Sequence, residues 1–270
     1  MYFWDFTYNT PAENLAADEA LLQSAESAAL TWLSLHDQLT ARKSYTTETL
    51  RLWESPRPCV VLGASSKFAS EARLSACIAN GVPILRRPSG GAAIVAGPGC
   101  LMYAVVLSTL CRPELQSIPV AHQYVLGRVA AACDAALAAR TGGQELPSGG
   151  VAPSTVKIEG ISDLTLVGKK FSGNSLRCRR THLLYHGTLL YDFDLAQIAR
   201  YLGEPPRTPD YRAGRAHGEF VTNLPTNRAA LTAALRRAFA AETELANPPL
   251  GLIEELAQEK YSQASWTERL

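Results

Sequence analysis

Two glycine-bounded stretches carry the side chains of this chain whose types and spacing could do chemistry. One is Arg86-Arg87-Pro88-Ser89-Gly90-Gly91-Ala92-Ala93; the other is Gly168-Lys169-Lys170-Phe171-Ser172-Gly173, followed by His186-Gly187-Thr188. The first follows Val82-Pro83-Ile84-Leu85, a short apolar run that reads as a buried strand, so its glycines fall at a strand end where backbone amides are left free. Such a loop suits an anion: glycines let a phosphate or carboxylate approach the backbone, Arg87 adds a planar charge and Ser89 a hydroxyl. A tight turn with a solvated arginine pair is the competing reading. In the second stretch, period-two alternation puts Lys170, Ser172 and Asn174 on one face and Lys169, Phe171 and Gly173 on the other. Two solvated lysines on an edge strand is the alternative there.

The elements that must position these residues alternate between strand and helix. Strands are expected near Phe3–Tyr8, Leu50–Trp53, Cys59–Leu62 and Val105–Leu107, and a hairpin turning at Gly168 joins Leu164–Val167 to Lys169–Leu176, with Leu183–Leu190 beyond it. Helices are expected from Pro11 through Ala29, over Ser70–Asn80, His122–Arg140 and Leu195–Leu202 (ended by Pro205-Pro206), over Asn227–Ala241 behind an asparagine cap, and over Gly251–Tyr261. Residues 141–154, rich in Gly, Pro and Ser, read as a flexible loop. The pattern makes an α+β fold, a mixed β-sheet with packed helices, in a single domain over residues 1–270 without internal repeats.

Composition narrows the class. At 270 residues, 47% hydrophobic and with a formal net charge of +1, the chain can bury a large core and carries no basic excess for nucleic acid. No apolar run is long enough to span a bilayer, and Met1-Tyr2-Phe3-Trp4-Asp5 lacks the basic start of a signal peptide, so a cytoplasmic protein with no membrane partner is expected. The six cysteines show no CxxC spacing and read as reduced, packed thiols, with Cys100, near the glycine loop, a candidate for reactivity. His182 and His186 share a strand face without helical i, i+4 geometry, so no metal site is expected.

The order and spacing of these segments resemble the biotin/lipoate protein ligase catalytic-domain family, in particular its lipoate-protein ligase branch. The resemblance runs from Asn14-Leu15-Ala16 and Asp18-Glu19 through Leu52-Trp53, Val60-Val61-Leu62-Gly63, the two glycine-bounded stretches, Asp163-Leu164 and His186-Gly187-Thr188-Leu189-Leu190. It continues to Val221-Thr222-Asn223-Leu224 and weakly to Trp266. It implies an enzyme that activates lipoate or octanoate with ATP and Mg²⁺ to an acyl-adenylate, then transfers the acyl group to a lysine of a lipoyl carrier domain or a glycine-cleavage H-like protein. Activation is needed because a carboxylate is a poor electrophile. A lysine between the carboxylate and the α-phosphate offsets their repulsion.

By resemblance Lys170 is that catalytic lysine. Arg87, Ser89, Gly90, Gly91, Ala92 and Ala93 form the acyl- and adenylate-binding loop, and Asp163, Ser172, His186, Gly187 and Thr188 complete the binding residues, with Ser162 where the family has asparagine. An eight-carbon chain in an apolar tunnel gains several kcal/mol at roughly 0.8 kcal/mol per buried CH₂. The chain departs from many ligases in having Ala92 for a third glycine, Ala96 for a histidine and Gly99-Cys100 for a Gly-Asn pair. Its loop also resembles cysteine-dependent octanoyl- and lipoyl-transferases of the same fold, which work without ATP through a thioester. Their cysteine lies shortly before the strand that begins here at Asp163, yet no cysteine occurs from Asp134 to Arg177. Three readings follow: an ATP-dependent lipoate-protein ligase, an acyltransferase with another nucleophile, and a non-catalytic acyl-binding relative. Many ligases carry a small C-terminal domain after the Val221–Leu224 segment; its expected absence here implies a small accessory protein.

Overall fold

Capping chemistry starts the first helix. Thr10 Oγ1 accepts from the Glu13 amide at 3.2 Å, Glu13 Oε2 accepts from the Thr10 amide at 3.0 Å, and Pro11 takes the first helical position, where no amide proton is needed. Helix α1 then runs Pro11–Leu35. The computed structural model describes residues 1–35, 47–140, 156–203 and 209–270. The loop expected over 141–154 and the pair Pro205-Pro206 lie outside the described residues.

The strands are β1 (Tyr2–Asp5), β2 (Thr49–Trp53), β3 (Cys59–Leu62), β4 (Ile84–Arg86), β5 (Ile94–Ala96), β6 (Cys100–Ser108), β7 (Lys157–Glu159), β8 (Asp163–Leu166), β9 (Lys169–Cys178), β10 (His182–Leu190) and β11 (Thr243–Glu244). Eight pair in the order β11-β1-β2-β6-β10-β9-β8-β7, and β4-β3-β5 make a second, small sheet. The large sheet is mixed: β1 runs parallel to β2 and β11, and the other pairs are antiparallel. This is the expected α+β architecture. Strands β2, β6 and β10 are buried at every position, because both faces are covered. The nine-residue β6 therefore extends well beyond the apolar Val105–Leu107 run.

Helix α2 (Ile118–Arg140) lies on the face that carries Tyr185, whose hydroxyl shares a 2.8 Å hydrogen bond with His122 Nδ1. Helix α3 (Arg228–Ala238) packs beside it; Asn227 caps it, Oδ1 accepting from the Ala230 amide at 2.9 Å as the sequence implies. Helix α1 covers the opposite face, the one that carries His186 and Arg51. The chain's last turns dock on α1, where Tyr261 donates to Glu19 at 2.6 Å. Among the described residues no helix is long and apolar enough to cross a membrane.

The helix expected over Ser70–Asn80 is instead two short ones, Phe68–Glu71 and Leu74–Ala79. Glu71 is drawn inwards to accept from the Lys67 and Ala93 amides, and Ala72 turns extended to bridge Leu202. At the β8–β9 turn, Val167 and Gly168 have φ of 51° and 69°, so this two-residue hairpin forces a β-branched residue into the left-handed region. Val167 is exposed and packs on nothing that would offset this. Val167→Asn is expected to stabilise the protein by about 1 kcal/mol, raising Tm by roughly 2–4 °C in a thermal melt. An unchanged or lower Tm would show that the turn is unstrained.

Candidate functional site

Arg87 builds the glycine loop from within. It is buried, and its guanidinium donates to Val61 O at 3.2 Å, Gly90 O at 2.5 Å, Ala92 O at 3.0 Å and Ser89 Oγ at 3.1 Å. Ser175 Oγ also donates to Gly90 O, at 2.9 Å. In a trans peptide the N–H points away from the C=O, so carbonyls held inwards turn the following amides outwards. The carbonyls of Ser89, Gly90 and Gly91 accept from the Ala64 amide, from Arg87 and from Ser66, and the following amides of Gly90, Gly91 and Ala92 have no protein acceptor among the described residues, an arrangement suited to an anion. Gly91 has φ 86°, and a Cβ on it would lie 2.9 Å from Arg87 Nη2, so this position requires glycine. Four of the five donors of Arg87 are thus spent on ordering the loop, while the side chain also borders the first of the two cavities that meet at Lys170. Burial pushes its pKa down to about 10, against an opposing pull from Glu71, and it remains charged at neutral pH.

Lys170 reaches the site through a bulge. Asp163 pairs with Gly173 and Leu164 with Ser172, but Thr165 pairs with Lys170, so Phe171 is an extra residue on β9 and alternation breaks there. Lys170 consequently shares the face of Gly173; a Cβ on that glycine would lie 3.1 Å from Lys170 Nζ. The expected grouping of Lys170 with Ser172 and Asn174 fails for this reason. Ser172 turns instead to Asn174, whose Nδ2 donates to its hydroxyl at 3.0 Å. Nor is β9 an edge strand, since β8 and β10 flank it. Lys170 Nζ lies 2.7 Å from Asp163 Oδ1, and Tyr211 donates to Asp163 Oδ2 at 2.6 Å. Burial and the Asp163 contact raise the Tyr211 pKa, keeping that phenol a donor.

Two cavities meet at this lysine. The first is closed by Leu15, Val61 and Met102 and bordered by Arg87, Gly91, Asp163, Ser175, His186, Gly187 and Thr188. The second has apolar walls that include Phe171, Ile198, Leu202, Phe220 and Val221, with Glu71 and Arg212 among its few charged groups. Ala92, Ala93, Ile94, Lys170, Gly173 and Thr188 line both. Of the expected site residues only Ser89 and Gly90 line neither, and Ser172 lines the second alone. Gly187 has a packing reason as well: a Cβ there would fall 1.7 Å from Asn174 Oδ1.

The sequence did not reveal what holds His186. Its Nε2 is 2.5 Å from Ser89 Oγ and its Nδ1 is 3.8 Å from Asp18 Oδ2; Asp18 in turn pairs with the fully buried Arg51 at 2.5 Å. The order serine, histidine, aspartate has the form of a nucleophilic triad. Ser89 is only 1% exposed and already accepts from Arg87, so it fixes the imidazole rather than attacking a substrate. An acidic residue on the apolar face of α1 was the signal for Asp18. Tyr211 gave none, being 48 positions from Asp163, and neither did Arg212, which only the fold brings into the wall of the second cavity.

Burial makes poor nucleophiles of the thiols of Cys100 and Cys59. Cys100 begins β6, fully buried, with its pKa raised far by burial, and burial pushes Cys59 up to about 11. Cys178 is exposed at the far end of the β9–β10 pair from Gly187. Ala96, which stands where many ligases have a histidine, is wholly buried on β5 and lines neither cavity, because it pairs with Cys59 inside the small sheet. His182 is buried against Thr181, and no group of three or more His, Cys, Asp or Glu among the described residues could hold a metal.

The family model of the lipoyl protein ligase A/B catalytic domain matches residues 10–242. The chain belongs to this family. Among curated relatives, octanoyltransferase LipM of Carboxydothermus hydrogenoformans is 26% identical over 98% of this chain and 97% of its own length. A probable lipoate-protein ligase A of Mycoplasma pneumoniae is 27% identical over 60% of this chain and 41% of its own. Among solved structures, the bipartite lipoate protein ligase of Thermoplasma acidophilum superposes with TM-score 0.73 at 20% identity, covering 99% of this chain and 95% of that one. A lipoate-protein ligase A bound with ATP gives TM-score 0.69 at 21% identity, covering 99% and 98%. Octanoyltransferases and probable lipoate-protein ligases thus both stand among this chain's relatives. The fold is that of the lipoate protein ligases.

Proposed function

We propose that this chain is an ATP-dependent lipoate-protein ligase. The observation that carries the reading is the position of Lys170 in the wall common to two cavities. The acyl chain of lipoate or octanoate lies in the first, against Leu15, Val61 and Met102, and adenosine lies in the second, its flat base against Phe171 and Phe220. The acyl carboxylate and the α-phosphate then meet beside Lys170 and the outward amides of Gly91 and Ala92. A carboxylate oxygen attacks the α-phosphorus, the bond to the β-phosphate breaks, and pyrophosphate leaves. The amine of a carrier lysine next attacks the acyl carbon, losing a proton as AMP departs and the amide forms. Lys170 moves from Asp163 towards the growing charge, and Asp163 remains held by Tyr211. Mg²⁺ would be held chiefly by the ATP phosphates, where it would offset their charge, and no group of three or more His, Cys, Asp or Glu among the described residues offers it a dedicated protein site.

We propose further that residues 1–270 act as one catalytic unit in the cytoplasm, on a lipoyl carrier domain or H-like protein, with a small accessory protein assisting the transfer. A second reading, ATP-independent octanoyl transfer, is favoured by the near full-length match to LipM. Against it, no cysteine lies between Asp134 and Arg177, and the thiol nearest the glycine loop in sequence, Cys100, is buried. Calorimetry with lipoate and ATP, beside a pyrophosphate-release assay, separates the two. Binding of each ligand strengthened by the other, with pyrophosphate formed, is expected. Acyl transfer from an octanoylated carrier without ATP or pyrophosphate would replace the ligase reading with the second.

A further inference from the structure

Four arginines are buried among the described residues: Arg51, Arg86, Arg87 and Arg212. The first three spend both terminal nitrogens on protein acceptors: Arg51 on Asp18, Asn14 and Phe6 O, Arg86 on the carbonyls of Gly63, Ser66 and Thr267, and Arg87 on the glycine loop. Arg212 does not. It is 8% exposed, its Nε donates to Arg215 O at 2.8 Å, and its guanidinium lies 5.3 Å from the Phe220 ring. Its Nη1 and Nη2 have no acceptor and no carboxylate within ion-pairing distance among the described residues. Yet it lines the second cavity. With no protein acceptor and not fully buried, its terminal nitrogens are free to meet a ligand that brings an anion into that cavity.

The neighbouring groups cannot supply the missing anion. Glu71, the carboxylate in the same wall, accepts from Ser66, Lys67 and Ala93, and Asp163 is taken by Lys170 and Tyr211. Arg215 holds the segment in place by donating to the carbonyls of Gly168, Tyr211 and Arg212. The Thr222 amide donates to Lys170 O at 2.9 Å, fastening the end of the same segment to the lysine strand. Arg212 is therefore a fixed donor pair in the wall that Lys170 also lines. Planar paired donors match two oxygens of one phosphate.

We infer that Arg212 is the phosphate-holding residue of the second cavity, gripping a phosphate group of the nucleotide and so setting the preference for ATP over adenosine. The inference rests on the nucleotide reading of that cavity. Its test is titration calorimetry of wild-type, Arg212→Gln and Arg212→Lys proteins with ATP, adenosine, inorganic pyrophosphate and lipoate. Arg212→Gln should weaken ATP and pyrophosphate by about ten- to a hundredfold while leaving adenosine and lipoate unchanged, and Arg212→Lys should recover part of the loss. Unchanged adenosine and lipoate binding also reports an intact fold. Equal ATP affinity in Arg212→Gln and wild type overturns the inference and leaves the ligase reading standing. Loss of all four ligands in Arg212→Gln and Arg212→Lys alike overturns it in favour of a structural role. If the wild type binds pyrophosphate through Arg212 but not ATP, the nucleotide reading fails and the anion assignment survives; if it binds neither, both fail.

Discussion

Lys170→Ala is expected to slow acyl-adenylate formation by about a hundred- to a thousandfold, the usual cost of removing one well-placed group that stabilises transition-state charge. On the proposed reading the ammonium stands where two anions must meet, and among the described residues no other lysine or arginine lines both cavities. Stability should change little. The Lys170–Asp163 pair is partly open to solvent, and Asp163 keeps its hydrogen bond from Tyr211, so a loss of less than about 1 kcal/mol is expected. Pyrophosphate release with lipoate and ATP measures the first quantity and a thermal melt the second. Lys169→Ala, in the neighbouring exposed position, should be mild. Activity of Lys170→Ala within a few-fold of wild type would remove this residue from the chemistry.

Asp18→Ala should give the largest loss of stability, about 3–5 kcal/mol, or roughly 6–20 °C in Tm, because it strands the Arg51 charge in the core. Asp18→Leu with Arg51→Met should recover part of this, since the uncompensated charge rather than the lost pair is the main cost. The same carboxylate predicts a pH dependence. Burial raises its pKa, but Arg51 and His186 outweigh burial and hold it below the ordinary value. In the unfolded chain it titrates near ~3.9. Its contribution is therefore complete above that pH and is lost as pH falls through the lower folded value. Denaturant unfolding from pH 7 to pH 3 should show wild-type stability falling at the acid end, with a shallower slope for Asp18→Asn. Identical slopes would mean that Asp18 is not a determinant of acid stability.

The sequence by itself determined what is written in local chemistry. Asn227 had to cap a helix, Gly168 had to turn a hairpin, and the apolar runs of β3 and β10 had to be buried strands. Each depends on residues a few positions apart, where capping geometry, φ preference and alternation act. The order of motifs likewise pointed to the family and to Lys170. Tertiary structure decided which way those residues face. A single bulge at Phe171 turned Lys170 onto the face of Gly173, and alternation cannot show an insertion defined only by the partner strand. Arg87 turned inwards because four acceptors, one of them on β3, converge on it, although its position in the chain is equally that of a solvent-facing ligand residue. Ser89 meets His186 across 97 positions and Tyr211 meets Asp163 across 48; such contacts exist only once the sheets and the 209–222 segment are assembled. Long-range packing chooses the partner of a buried polar group, and desolvation makes that choice binding, since an unpaired alternative would cost several kcal/mol.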